Sequence, residues 1–202
     1  EAAQKFNLKS QPPSGKWIFE EENLIISQSI ARIMGMFMGD GSCGIYKCKS
    51  GNKHSWAINN SNYELLESYK LLLQEVYPKF KWKILDTMKS SNVYKLVPLG
   101  ELERTSRSRQ CEYKGTIARF VLFWRKLMYI DKEKQVPECI INSLREIRQE
   151  FWEGLHDADG TKNSLEPEIS QKGCISSLGI YTLLKSLDYD VVVDDRKDKP
   201  DI

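Results

Sequence analysis

"ARIMGMFMGDGSCG", residues 31–44, is an apolar helical stretch with glycines inside it at 35 and 39, closing on Asp40-Gly41. Glycine in a helix interior costs about 0.5–1 kcal/mol relative to alanine. Two of them one turn apart imply that a bare helix face is needed. The arrangement returns in "FWEGLHDADGTK", residues 151–162, where Gly154 and Ala158 are four apart and the helix closes on Asp159-Gly160. With the Asp-Gly pairs aligned, Gly35 matches Gly154, Gly39 matches Ala158 and Asp40 matches Asp159.

Residues at i and i+4 share a helix face, so each helix presents a stripe of small residues. Two such stripes let helix backbones approach unusually closely. Gly35, Gly39, Gly154 and Ala158 are therefore the expected interface, and their packing brings Asp40 and Asp159 side by side at the two C-terminal ends. Glycine after each acid permits a left-handed exit from the helix. Carboxylates held close near helix C-termini repel unless a cation lies between them. Donors that are all oxygen suit Mg²⁺ or its like, Mn²⁺ included. Asp40 and Asp159 are the candidate metal ligands.

Between the two motifs the chain alternates helix and strand signals. A helix is expected from about Ser27 to Met38, then two strands in "GIYKCKSGNKHSWAIN" around Ser50-Gly51. "NYELLESYKLLLQEVYP" is an amphipathic helix closed by Pro78. In "KFKWKILDTMKSSNVYKLVP", Phe80, Trp82 and Ile84 alternate with Lys79, Lys81 and Lys83, which predicts a strand, a Ser-Ser-Asn turn and a strand. "YKGTIARFVLFWRKLMYI" reads as helix, with Phe120, Phe123 and Trp124 as core rather than base-stacking groups. "DKEKQVPE" is expected as a loop before a helix from about Pro137. After the second motif come an extended piece over about 165–172, a helix "CISSLGIYTLLKSLDYD" and a strand "VVVDD". This is an α+β class, with a lead-in over 1–26, one lobe of αββαββα pattern over 27–144, and a second, shorter lobe over 145–202.

The composition is 41% apolar and 29% charged over 202 residues, ordinary for a globular protein with a real core. No apolar run approaches the ~20 residues of a membrane span, and no signal-peptide pattern opens the chain, so no membrane partner is expected. The five cysteines, Cys43, Cys48, Cys111, Cys139 and Cys174, are odd in number and form no C-x-x-C pair. That argues against a disulfide framework or zinc ribbon and for a reducing compartment. Net charge is only +2, but residues 79–126 hold twelve Lys/Arg against four acids. That block suits a polyanion, or is a solvated face. The two histidines, His54 and His156, have no metal-ligand neighbours at useful spacing; both are expected to be satisfied, partly buried side chains.

"IMGMFMGDG" and "WEGLHDADG" resemble the paired signatures of LAGLIDADG homing endonucleases. The second is the closer match; the first carries Met38 where the motif has its earlier acid, which is Asp157 in the second. "EKQVPECI" resembles the K-x-[IV]-P lysine block of intein-borne members, which stands a short way ahead of the second motif and here supplies Lys134. The wording of "GDGSCGIY", "KHSWAINNS", "ILDTMKSSNVYKLVP", "KGCISSLGIYTLLKSL" and "RKDKPDI" is similar to inteins of family-B DNA polymerases of large eukaryotic viruses. The resemblance implies two pseudo-symmetric LAGLIDADG lobes in one monomer and a metal-dependent double-strand break in a long DNA target. It assigns Asp40 and Asp159 to the catalytic metal, Lys134 to the neighbourhood of a scissile phosphate, and Asp157 to a non-catalytic place. No splicing nucleophile or His-Asn pair is present, so the chain is not expected to splice by itself. A lysine mirroring Lys134 in the second lobe would fall past Ile202, so that lobe is expected to be incomplete.

Duplex DNA is the implied partner, met by a curved sheet over 45–59 and 80–97 lying in the major groove. Lys47, Lys49, Asn59, Lys81, Lys83 and Lys95 are the candidate contacts, most of them to phosphates. "SRSRQ" at 106–110 is either a phosphate-contacting loop or disordered. Two other functions remain open: a degenerate endonuclease serving as a DNA-binding module or intein passenger, and an RNA maturase. In each case the site of action is intracellular, in cytoplasm or nucleus, where viral or host DNA is replicated.

Overall fold

The computed structural model describes residues 26–49, 51–78, 80–99, 107–161 and 168–194. Of the expected lead-in 1–26, residues 1–25 lie outside them, as do Lys79 and Ser106. Helix α1, Gln28–Asp40, begins where the Ser27 hydroxyl accepts from Ile30 N–H at 3.3 Å, a serine N-cap that satisfies one orphan donor. Strands β1 (Gly41–Cys48) and β2 (Gly51–Asn60) follow, then α2 (Tyr63–Val76), capped by Asn62. Next come β3 (Lys81–Asp86), a single turn α3 (Met88–Ser91) and β4 (Tyr94–Leu99). Asn92, at φ 55, closes α3 in the left-handed region that asparagine tolerates. The four strands form one antiparallel sheet in the order β1-β2-β4-β3.

Helix α4, Arg107–Met128, crosses the β1–β2 side of the sheet. The "SRSRQ" run is thus no loop over its described part, because residues 107–110 open α4. Phe37, Trp56, Phe80, Phe120 and Trp124 are all buried between the helices and one sheet face, with ring centroids 4.8 to 5.6 Å apart across Phe37–Trp124, Phe37–Trp56 and Trp56–Phe120. Phe120, Phe123 and Trp124 are core, as expected.

Three elements differ from expectation. Residues 129–134 form a small hairpin, β5 (Tyr129–Ile130) and β6 (Glu133–Lys134), instead of a loop. Its two-residue turn puts Asp131 at φ 46 and Lys132 at φ 77, the conformation a tight hairpin demands and Asn-Gly usually supplies; Asp-Lys gives little warning of it. The helix expected from Pro137 is broken into α5 (Glu138–Ile141) and α6 (Arg145–Asp159), because Ser143 turns its hydroxyl back onto the Ile140 carbonyl and Leu144 is extended at ψ 156. After α6 only α7, Cys174–Lys185, is regular among the described residues. The expected strand "VVVDD" is not one over its described residues: 191–194 have no regular structure, with Val192 90% and Val193 67% exposed. A β-prone segment needs a partner strand, and none lies beside it among the described residues.

Candidate active site

Helices α1 and α6 meet backbone to backbone. A Cβ added at Gly35 would lie 1.9 Å from the Phe151 carbonyl oxygen and 2.8 Å from Leu155 N. One added at Gly154 would lie 2.1 Å from the Arg32 carbonyl oxygen and 2.9 Å from Met36 N. Gly35 and Gly154, Arg32 and Phe151, and Met36 and Leu155 are equivalent positions of the two motifs, so a local twofold axis relates the contacts. On that axis a Cβ at Gly39 would stand 2.5 Å from Ala158 Cβ and 2.9 Å from Asp159 Oδ2. The four small residues expected at this interface do lie in it, and the last turns of both helices touch.

The glycines after the acids do not exit left-handed. Gly41 and Gly160 are extended, at φ −76, ψ 150 and φ −70, ψ 143, and each donates its N–H to the carbonyl four residues back, Phe37 and His156. They are needed for space: a Cβ at Gly41 would sit 2.3 Å from Phe37, and one at Gly160 would sit 2.3 Å from the His156 ring. His156 is half-buried, against Trp152 at 5.9 Å, and His54 is half-buried on β2.

Each acid is held by an amide. Asn60 Nδ2 donates to Asp40 Oδ2, and Gln171 Nε2 donates to Asp159 Oδ2 at 2.8 Å. Lys134 comes to the same end from β6. Its ammonium donates to the carbonyls of Phe37, Met38 and Gly39 at 3.1, 2.9 and 2.7 Å. All three of its hydrogens are thereby spent on the last turn of α1. A cation at a helix C-terminus meets the negative end of the dipole. Burial pulls the lysine down to about 8, against the opposing pull of Asp159 and Asp40. The Asp159 carboxyl is raised above its ordinary range, chiefly because its surroundings remove water, with Lys134 and Gln171 holding it back. Asp159 is nonetheless exposed, so its carboxylate is only partly withdrawn from water; a carboxylate of this kind at the same end as a second one suits a cation. Among the described residues no group of three or more His, Cys, Asp or Glu converges. A divalent ion here would be held by Asp40 and Asp159 with water or phosphate oxygens completing its shell, the mode Mg²⁺ favours.

Asp157 faces away from this pair. Its Oδ2 accepts from Arg32 Nη2 at 2.8 Å, Arg32 Nε at 3.2 Å and Tyr69 OH at 2.6 Å, while Arg32 Nη1 reaches Glu150 at 3.2 Å. It ties α6 to α1 and α2. The matching position in α1 is Met38, 1% exposed in the core.

The register sorts the sheet's polar residues. Trp56, Ile58, Trp82 and Leu96 share the helix-covered face; Lys81, Lys83, Lys95 and Asn59 lie on the open one. Asn59 also donates to the Asp40 carbonyl and Ser42 Oγ, both at 3.1 Å. Lys47 departs from the expected grouping: paired with Asn52, it has the parity of Cys43 and Trp56 and leaves the sheet on the other side. Lys49 sits in the hairpin turn. Lys53, opposite Tyr46, joins the open face.

With this geometry in hand, the molecule can be compared with known ones. The homing endonuclease I-DmoI, in a study of its mesophilic variants, superposes with a TM-score of 0.56 at 18% identity, covering 86% of this chain and 85% of that one. I-DmoI in complex with DNA and Mn gives the same TM-score and identity, covering 86% of both. The chain shares the fold of I-DmoI. Over 192 aligned residues it is also 41% identical to a DNA polymerase of Acanthamoeba polyphaga mimivirus, an alignment covering 91% of this chain and 10% of the polymerase. The chain therefore spans about a tenth of that relative's length. No family model matches it.

Sequence reasoning missed Asn60, Gln171, Arg32 and Tyr69. Asn60 is signalled only by its place at the end of β2, antiparallel to the strand that leaves Asp40. Gln171 carries no signal, because nothing in its own sequence surroundings marks it as a partner of Asp159.

Proposed function

We propose that this chain is a site-specific DNA endonuclease of the homing type, dependent on a divalent metal, borne as an intein within a viral DNA polymerase and acting as a monomer inside the cell. The observation that carries the reading is the close packing of α1 and α6 through Gly35 and Gly154, which delivers one acid each to a common end beside Lys134. The shared fold with I-DmoI, studied bound to DNA and Mn, supports it. The likeness to one tenth of a DNA polymerase supports an insertion within such a host.

When bound, Mg²⁺ or Mn²⁺ would supply Lewis-acid polarisation of the phosphate and a more acidic water. The protein's own residues do the rest. Asn60 and Gln171 orient the carboxylates of Asp40 and Asp159. Lys134, with its hydrogens engaged by α1 carbonyls, contributes a fixed positive charge where negative charge develops on phosphate. Lys53, Lys81, Lys83 and Lys95 on the open sheet face hold the duplex by its backbone.

The test is cleavage in Mg²⁺ of a plasmid carrying the polymerase coding sequence with the segment for this chain removed. Wild type is expected to linearise it, and Asp40→Asn and Asp159→Asn to bind it without cutting. Cleavage by the double Asn variant overturns the mechanism. A second reading, a non-cleaving DNA-binding passenger, is favoured by the lack of any strand in the described residues after Asp159. A gel shift without nicking under every divalent metal would select it.

A further inference from the structure

Lys134 reaches α1 from a strand of two residues, paired with Tyr129–Ile130 and extended by one bond from Gln135 N–H to the Met128 carbonyl at 2.8 Å. So short a ladder holds a side chain poorly by itself. The first turn of α7 reinforces it. Ser176, at 2% exposure the one buried non-aromatic hydroxyl among the described residues, donates it to the Lys134 carbonyl at 2.6 Å. Ile175 N–H donates to Glu133 Oε2 at 3.3 Å. The carboxylate next to Lys134 thus sits at the N-terminus of α7, the positive end of its dipole. The helix's own N-cap, Gly173, makes no side-chain capping bond and turns at φ +96. A Cβ there would lie 2.4 Å from Glu133 Oε2. Behind the strand, Val136 is buried and a Cβ at Gly179 would stand 3.1 Å from it, while Ile180 and Leu183 of α7, with Leu187 just after it, are buried in the core.

A buried hydroxyl is unfavourable unless bonded, and here its partner is the backbone of the one lysine at the paired acids. We propose that Ser176 and Glu133 are positioning residues for Lys134, and that α7 serves to fix that ammonium at the shared ends of α1 and α6. The use made of the lysine rests on the nuclease reading; its placement rests on geometry alone.

The experiment has two readouts. In ¹⁵N spectra of lysine side chains, the Lys134 ammonium of the wild type is expected as a protected signal, assigned by its loss in Lys134→Met. Ser176→Ala is expected to broaden it and Ser176→Thr to restore it. In single-turnover cleavage of the same plasmid, Ser176→Ala is expected to lose about tenfold to hundredfold in rate, as small misplacements do, with DNA affinity unchanged. In the Lys134→Met background it should cost nothing further. Glu133→Gln keeps an acceptor but not the charge, leaves the hydroxyl bond intact, and serves if Ser176→Ala does not fold; a partial loss of both signal and rate is expected. An unchanged ammonium signal, or losses that multiply in the double variant, overturns the proposal. If wild type does not cut, the nuclease reading fails while the ammonium signal still decides the placement.

Discussion

Replacing Gly35 with alanine sets helix propensity against packing, and the structure says which wins. Alanine in a helix interior is favoured over glycine by about 0.8–1 kcal/mol. The new methyl would sit 1.9 Å from the Phe151 carbonyl oxygen, where real Cβ atoms do not come below 3.0 Å. The two backbones must therefore part by about 1 Å, and backbone cannot rotate away as a side-chain tip can. Overpacking of this kind costs about 1–3 kcal/mol, occasionally more. Being directed at main chain it falls at the upper end, leaving a net loss of about 2 kcal/mol after the propensity gain. Urea denaturation checks it. Cleavage should suffer more than stability, because a displacement of catalytic groups by about 1 Å costs about 10²-fold. Gly154→Ala should match it through the local twofold. The double variant should cost less than the sum, since both methyls demand the same separation. A neutral or stabilised Gly35→Ala, as propensity alone would give, refutes the close-approach argument.

Asp157→Asn leaves Arg32 without its main partner in a setting where their side chains are 29% and 26% exposed; a loss of about 1–3 kcal/mol in denaturation is expected, with DNA cleavage retained. Asp159→Asn should do the opposite. The Asp159 carboxyl is raised in the folded state, and such a group contributes stability below its unfolded value and loses it as pH rises. The metal-free Asn variant should therefore melt higher than wild type at neutral pH, and the gain should vanish in acid. Lys134 should titrate near 8 by NMR, and removing Asp40 or Asp159, both of which raise it, should move that midpoint lower; an upward move contradicts the placement. On the sheet, Lys53→Ala and Lys83→Ala should each reduce the salt dependence of DNA binding by about one ion released, whereas Lys47→Ala, on the other face, should leave it unchanged.

The paired helices were legible because their signal is local and repeated: small residues four apart, then Asp-Gly, twice. The first sheet was legible from alternation, as Trp82 between Lys81 and Lys83 shows. The hairpin carrying Lys134 was not, because its turn uses Asp131-Lys132 where propensity gives no hint of two left-handed residues. The face of Lys47 depended on register, which a one-residue shift reverses. "VVVDD" misled because valines report fitness for a strand, and a strand also needs a neighbour. Asn60 was marked only by strand pairing, which places the end of β2 beside Asp40, and Gln171 by nothing local, since its role exists only through a long-range contact with Asp159.

The distance between the two helix ends that carry the acids is set by the thickness of main chain lying on main chain. Asn60 and Gln171 then set the rotamers of the carboxylates on those ends, while the ends themselves do not drift with substitutions on the outer surfaces. The lysines on the open sheet face can change while the separation of the two helix ends keeps its width.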